Sequence, residues 1–205
     1  MSSQPLFWQG AVIGFSIAAP VGPIGVLCIR RSMTDGARIG FAAGLGAALA
    51  DAFYGAVAAF GLTSFSSFLV DQQFWLGLIG GAFLCYLGLR TMRSAVAEQA
   101  AQNEAKGFAL TCVSTLGLTL TNPATILSFV AFFAGFGLGK ANGFGPALAM
   151  MSGVFIGSLA WWTILSSGVG WLRHRLQPGW RVWVNRLSGA LLLSFGVLIL
   201  LRLRR

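Results

Sequence analysis

One acidic residue, Asp51, lies deep inside a long apolar stretch of the chain, twelve residues after Ile39. An ionised side chain in the middle of a membrane helix costs about 2.5–3.5 kcal/mol on insertion scales, so such residues usually face a cavity and handle protons or substrates. Gly44, Ala48 and Gly55 share its helical face and leave room beside the carboxylate. We therefore predict that Asp51 binds a proton or the ammonium group of a substrate. The alternative is a neutral aspartic acid bonded to a broken-helix carbonyl for structural reasons.

Proline interrupts two apolar stretches, about half a chain apart, in the segments Ala19-Pro20-Val21-Gly22-Pro23 and Thr121-Asn122-Pro123. Proline removes a helical hydrogen bond, and glycine allows backbone angles that other residues avoid. Freed carbonyls suit an ammonium group or a cation, and the N-terminus of a half-helix suits a carboxylate. The candidate substrate-binding residues are Pro20, Gly22, Pro23, Asn122, Pro123 and Tyr54, whose hydroxyl lies one turn from Asp51. The alternative is that each proline is only a kink, which membrane helices tolerate.

Two tryptophans, Trp161 and Trp162, lie well inside another apolar stretch. In a weak internal repeat they occupy the place of Asp51, so they are candidates for a pocket wall or a gate. Tryptophans that face lipid or pack between helices are the alternative.

Residues for metal or nucleophilic chemistry are scarce. Cys28, Cys85 and Cys112 form no CxxC pair, and His174 is the single histidine. The sequence has no Walker A motif for ATP. We therefore predict no cofactor, no resident metal and no enzymatic activity.

The composition indicates which scaffold must position these residues. Of 205 residues, 56% are hydrophobic and 9% are charged, against about 25% charged in soluble domains. So few charges cannot cover the surface of a soluble globule of this size. The same figures exclude a disordered chain, and three cysteines exclude a secreted disulfide scaffold. The predicted fold class is an all-α integral membrane protein.

Six apolar stretches approach the length of about 20 residues that a helix needs to cross a hydrocarbon core of about 30 Å. They are Phe7–Ile29, Ile39–Leu62, Phe74–Leu89, Phe108–Phe136, Phe144–Val169 and Val182–Leu201. We predict six transmembrane helices in one domain, 1–205, with halves at approximately 1–93 and 107–205 and a polar linker at 94–106.

The two halves show a weak internal repeat. Each has a proline break in its first span and a glycine-rich segment in its second, Gly46–Asp51 in one half and Gly157–Trp162 in the other. Three spans per half is an odd number, so the halves would be inverted across the membrane. Two inverted three-helix repeats, with helices 1 and 4 broken, are typical of secondary transporters with a site at the membrane midplane.

The basic residues predict an orientation. Ten of the fourteen Lys and Arg residues follow the first, third and fifth spans. Since basic residues favour the cytoplasmic side, both termini are predicted to lie outside. A net charge of +9 would suggest nucleic acid in a soluble protein. Here the basic residues flank spans, so we predict contact with membrane lipid and no nucleic-acid partner.

With these features the chain resembles the lysine-exporter (LysE/RhtB) family of amino-acid exporters. The resemblance covers nearly the whole chain and is most specific from Pro20 to Gly61. Val21 departs from the tighter Pro-Gly-Pro of the family. The resemblance implies gradient-driven export of amino acids or related small metabolites, in a bacterial plasma (inner) membrane. It also implies site positions at Pro20, Gly22, Pro23, Asp51, Asn122 and Pro123.

We therefore predict a secondary-active exporter that works by alternating access and couples its small-molecule substrate to protons. Two alternatives come from the wider superfamily. A divalent-cation exporter would need several carboxylates or thiolates at the midplane, where this sequence has Asp51 alone. A thiol–disulfide electron carrier would use Cys28 and Cys112, which would need access from both sides of the membrane. The oligomeric state stays open, a homo-oligomer included.

Overall fold

The computed structural model of the chain describes residues 3–20, 22–60, 72–93, 104–122, 125–129, 143–173 and 180–203. All regular structure in these ranges is helical, as predicted for an all-α protein. The helices are α1 Ser3–Ala18, α2 Pro23–Thr34, α3 Ala37–Ala59, α4 Gln73–Arg93, α5 Glu104–Leu120, α6 Phe144–Arg173 and α7 Trp180–Arg202. Residues 125–129 are helical as well.

Four helices, α3, α4, α6 and α7, are long and apolar enough to cross a membrane. The axes of α1 and α2 are bent by 79° at a short break, and the pair counts as a fifth, broken span if it is taken as one crossing. The apolar part of α5, Gly107–Leu120, is shorter. By length and composition, the described residues therefore supply four or five spans, against the six predicted.

Two predicted boundaries differ from the structure. The stretch Phe7–Ile29 is not one straight helix, because α1 ends at Ala18 and α2 begins at Pro23. Pro23 is tolerated in the first turn of α2, since the N–H that proline lacks would have no helical partner there. The predicted linker 94–106 overlaps α5, which begins at Glu104. Within the stretch Phe108–Phe136, α5 ends at Leu120; Pro123 and residues 130–142 lie outside the described residues.

Glycines on both helices bring α1 and α6 into close contact. A Cβ on any of these glycines would overlap a backbone carbonyl of the opposite helix. The pairs are Gly10 with Met150, Gly14 with Val154, Gly153 with Phe7 and Gly157 with Ala11. Small residues at four-residue spacing let helices approach closely in lipid, where apolar surface alone does not drive association. These four glycines therefore allow the close packing of α1 against α6.

A second glycine contact joins α4 and α7 as an antiparallel pair. Gly88 lies 2.8 Å, measured from an added Cβ, from the carbonyl of Gly189, and Gly81 lies 3.3 Å from that of Gly196. The close approach places the end of α4 beside the start of α7. Separately, α3 packs against α5 and α6.

Helix α2 lies inside the bundle. Its first six residues are buried, and it packs against α3, α6 and α7. Near its end, Nε of Arg30 donates to Oδ1 of Asn185 on α7 at 3.2 Å. Gly36 has a φ of 103° in the turn to α3, where a residue with a Cβ would be strained. These contacts hold the break between α1 and α2 inside the protein.

Candidate functional site

A cavity of about 200 Å³ lies at the break between α1 and α2. It is also bordered by α3, α6, the end of α5 and the helical residues 125–129. Six predicted site residues line it: Pro20, Gly22, Pro23, Asp51, Asn122 and Trp162. The fold thus brings residues that are far apart in sequence to one place. The predicted site residue Pro123 lies outside the described residues.

The carboxylate of Asp51 on α3 is bonded to α6. Oγ of Ser158 donates to Oδ2 of Asp51 at 2.6 Å, and Nε1 of Trp162 donates to the same Oγ at 3.0 Å. Only 3% of Asp51 is exposed, and Ser158 is fully buried. Because the hydroxyl has one proton, it donates to Asp51 and uses its lone pairs to accept from Trp162. A chain of hydrogen bonds therefore runs from the carboxylate to an aromatic wall of the cavity.

Asp51 is the one charged side chain among the described residues that line the cavity. Within the described ranges a single salt bridge is found, between Arg31 and Asp35 at 2.8 Å, so no Lys or Arg of those ranges pairs with Asp51. A buried charge requires a partner, because its removal from water is costly. A proton or a bound cation can supply that partner at this cavity.

The two helix ends at the break carry opposite partial charges. No side chain caps α2, so the N–H groups of Ile24 and Gly25, which both line the cavity, stay as donors at its N-terminus. On the other side α1 ends at Ala18, and Pro20 has no N–H for the carbonyl of Ser16. A helix N-terminus is partly positive and a C-terminus partly negative. The cavity therefore offers donors for an anion beside acceptors for a cation.

A second break, after α5, borders the same cavity. The carbonyl of Asn122 accepts from the N–H of Ile126 at 3.2 Å, as the carbonyl of Gly22 accepts from the N–H of Val26 at 3.0 Å. Asn122 is buried and lines the cavity together with Thr119 of the last turn of α5. The helices that follow the two breaks thus begin with the same backbone hydrogen bond, and both breaks border the same cavity.

Two predicted site residues, Tyr54 and Trp161, are not among the residues lining the cavity. The buried Tyr54 hydroxyl donates to the carbonyl of Leu120 at 2.6 Å. Because a helix end leaves carbonyls without helical partners, Tyr54 serves as a cap for α5. Trp161 packs edge to face against Phe15, with ring centroids 5.4 Å apart. Of the two tryptophans proposed as a gate, Trp162 alone borders the cavity.

Four polar site residues were missed by sequence reasoning. They are Ser158, behind Asp51, and Thr119, Thr125 and Ser128, which line the cavity. Two spacings contained a signal: Thr119 continues a row of threonines four residues apart, and Ser158 precedes Trp162 by four. The signal is weak because helical hydroxyls commonly bond their own backbone, as Ser166 does with the carbonyl of Thr163.

The described part of the chain has few residues for metal binding or thiol chemistry. No group of three His, Cys, Asp or Glu side chains gathers there. The cysteines in those ranges are free thiols, and the residues lining the cavity include none of them. Cys28 is buried with Sγ 3.4 Å from the carbonyl of Gly40. The single carboxylate at the cavity falls short of the six to eight oxygen ligands typical of Ca²⁺.

Comparison with known proteins finds one family. The family model of the LysE type translocator matches residues 15–203. A Bacillus subtilis relative named "Putative amino acid efflux protein YcgF" is 28% identical over 93% of each chain. The "Chemotactic transduction protein ChpE" of Pseudomonas aeruginosa is 27% identical over 95% of this chain and 97% of its own. The "Threonine efflux protein" of Salmonella typhi is 25% identical over 63% and 67%, respectively. No solved structure matches the chain.

Proposed function

Since the chain belongs to the LysE type translocator family, we propose that it exports an amino acid or a related small metabolite through the cavity at the α1–α2 break. The family match confirms the resemblance seen in the sequence, and the chain is a multi-pass membrane transporter and not an enzyme. Relatives named for amino acid efflux and threonine efflux support an amino-acid substrate. The observation that carries the proposal is the shared position of Asp51 and the start of α2 at one small cavity.

A zwitterionic amino acid suits the charges around this cavity. Its carboxylate binds the N–H groups of Ile24 and Gly25, and its ammonium group binds Asp51 and the carbonyl end of α1. The volume of about 200 Å³ is below the roughly 300–1,000 Å³ of pockets for drug-sized ligands. The cavity therefore suits a small metabolite, with Trp162 against the substrate side chain.

Packing supports the proposal that the halves 1–93 and 107–205 are inverted repeats, each with three spans. In such a repeat α1 corresponds to α5, α3 to α6 and α4 to α7. The contact between α1 and α6 then corresponds to the contact between α5 and α3, and the contact between α4 and α7 corresponds to itself. All three contacts are present. Gly46 of α3 lies against the backbone of α5 at Cys112, and Gly157, its counterpart in the repeat, lies against α1 at Ala11. The breaks at Gly22 and Asn122 then belong to broken helices 1 and 4. Such halves rock against each other around a fixed site in alternating access.

Proton coupling in this proposal depends on Asp51. A proton and the substrate ammonium group compete for one carboxylate, so each is released as the other binds. A proton that arrives from outside displaces the substrate there, and the cytoplasmic side reloads the site. The hydrogen bonds from Asp51 through Ser158 to Trp162 support this role, because they link the occupancy of the carboxylate to the cavity wall.

The proposed setting is the bacterial plasma (inner) membrane, with both termini outside. The orientation depends on the ten basic residues that follow the first, third and fifth predicted spans. The proposed partners are the exported metabolite, protons and membrane lipid.

Asp51→Asn tests the proposed function in reconstituted vesicles. The change keeps the size and most hydrogen bonding of the side chain but removes its charge. The vesicles are preloaded with a labelled amino-acid mixture, and export is followed with and without an imposed pH gradient. We expect wild-type export to accelerate with the gradient and the Asp51→Asn protein to show no gradient-driven export.

Asp35→Asn is the matched control. Asp35 lies at the end of α2, where it pairs with Arg31 and is 30% exposed, and it does not line the cavity. This variant should export like the wild type. If the gradient still accelerates export by Asp51→Asn, proton coupling lies elsewhere; if the wild type exports no amino acid, the exporter proposal fails.

A further inference from the structure

A groove lies on the outer surface between the end of α4 and the start of α7. Its volume is about 790 Å³, and its lining consists of Met92, Trp183, Val184, Arg186, Leu187 and Ala190. All but Arg186 are apolar. The close contact of Gly88 with Gly189 fixes these two helix ends beside each other. The groove is thus an apolar channel with one guanidinium group in its lining, separate from the transport cavity.

The apolar residues of the groove face outward. Trp183 is 70% exposed and Leu187 is 65% exposed. Both share one helical face with Ala190, at spacings of four and seven residues from Trp183. Tryptophan near the end of a membrane helix typically lies at the level of the lipid headgroups. The groove therefore runs from this level along the hydrocarbon-facing side of α7.

Positive charge gathers at the same end of the bundle. Arg186 lines the groove, and Arg90 and Arg93 lie in the last turn of α4. The positive charge of Arg90 also repels that of Arg30 on α2. Together the guanidinium groups of Arg90, Arg93 and Arg186 attract an anion.

We propose that the groove binds an anionic phospholipid. The headgroup lies beside Trp183, an acyl chain lies against Leu187 and Ala190, and the phosphate binds Arg186, with Arg90 and Arg93 adding charge. A guanidinium group matches phosphate geometry in two parallel hydrogen bonds, which suits Arg186 to this role. The apolar lining and the charge together select a phospholipid over a free anion. The proposal does not depend on the transport cycle.

Native mass spectrometry of the full chain in detergent tests this site by titration with phosphatidylglycerol and phosphatidylcholine. We expect one phosphatidylglycerol molecule per chain, bound more tightly than phosphatidylcholine. Arg186→Gln should weaken phosphatidylglycerol binding about fivefold, the effect of one basic residue at an anionic lipid surface. Arg202→Gln is the matched control, because Arg202 is exposed at the opposite end of the same helix; it should leave binding unchanged.

A second variant, Ala190→Trp, fills the groove and keeps every charge. It should also weaken phosphatidylglycerol binding, whereas glycerol 3-phosphate, which has the phosphate without acyl chains, should not compete. Equal affinity for the two lipids, equal losses in Arg186→Gln and Arg202→Gln, or unchanged binding in Ala190→Trp would overturn the proposal. A dimer mass that disappears in Ala190→Trp would make a second copy of the chain the occupant and would overturn it as well.

Discussion

Ser158→Ala removes one hydroxyl group that bonds both Asp51 and Trp162. A hydrogen bond to a charged group contributes about 1.5–3 kcal/mol, and the ionised carboxylate of Asp51 loses that contribution in this variant. At 1.4 kcal/mol per factor of ten, the ionised form of the site should be destabilised about ten- to a hundredfold. Since the substrate ammonium group binds that form, the substrate concentration for half-maximal export should rise by about tenfold or more.

The assay is the initial rate of export from vesicles loaded with increasing amounts of labelled substrate. Ser166→Ala is the matched control, because Ser166 is equally buried in α6 but bonds the carbonyl of Thr163 in its own helix at 3.3 Å. That variant should keep the wild-type half-saturating concentration. If the two alanine variants have the same half-saturating concentration, the bond from Ser158 has no part in substrate binding and the reasoning is refuted.

Two further predictions concern packing and orientation. Gly157→Ala should lower the free energy of unfolding by about 1–3 kcal/mol, because its Cβ would overlap the carbonyl of Ala11; Gly168→Ala, with open space around it, should not. Thermal melting of both variants measures this, and equal melting temperatures would contradict the close α1–α6 crossing. A periplasm-active reporter fused after Lys140 should be active and one fused after Arg93 inactive, because Arg93, in the last turn of α4, is one of the ten basic residues that mark the side predicted to be cytoplasmic. The opposite pattern would reverse the orientation.

Sequence reasoning found the break and the acid because both are anomalies in an apolar background. Pro23 is visible in the sequence as a residue without an N–H group, and α2 does begin there. Asp51 is a charge in an apolar stretch, and it lines the cavity. Signals of this kind depend on the chemistry of one residue and need no knowledge of packing.

Residues whose role depends on helix rotation could not be placed in this way. Tyr54 lies three residues after Asp51, which in an α-helix turns its side chain about 60° away from that of Asp51. That difference directs the hydroxyl to Leu120 and away from the cavity. Ser158 gave only a weak signal, because a hydroxyl in an apolar helix commonly bonds the backbone of its own helix, and only the packing shows that a neighbouring helix presents a partner.

The direction of one helix and the exact ends of another were also not predictable from the sequence. The prolines predict a break in the first span, but the apolar residues of α2 look the same in sequence whether the helix continues the direction of α1 or turns by 79°, so the angle of the bend was not predictable. Hydropathy marks the part of a helix that lies in lipid and not its full length. Glu104, at the start of α5, therefore fell in the predicted linker although Glu, Ala and Lys favour helix.

The central claim is that one cavity binds the carboxylate of the substrate at the start of α2 and its ammonium group at Asp51. The most direct measurement is calorimetric binding of the exported amino acid, its methyl ester and its 2-hydroxy analogue to the wild-type and Asp51→Asn proteins. We predict that the ester binds both proteins weakly, and that Asp51→Asn weakens binding of the amino acid but not of the 2-hydroxy analogue, which lacks the ammonium group. Equal weakening of the amino acid and the 2-hydroxy analogue by Asp51→Asn would contradict the account.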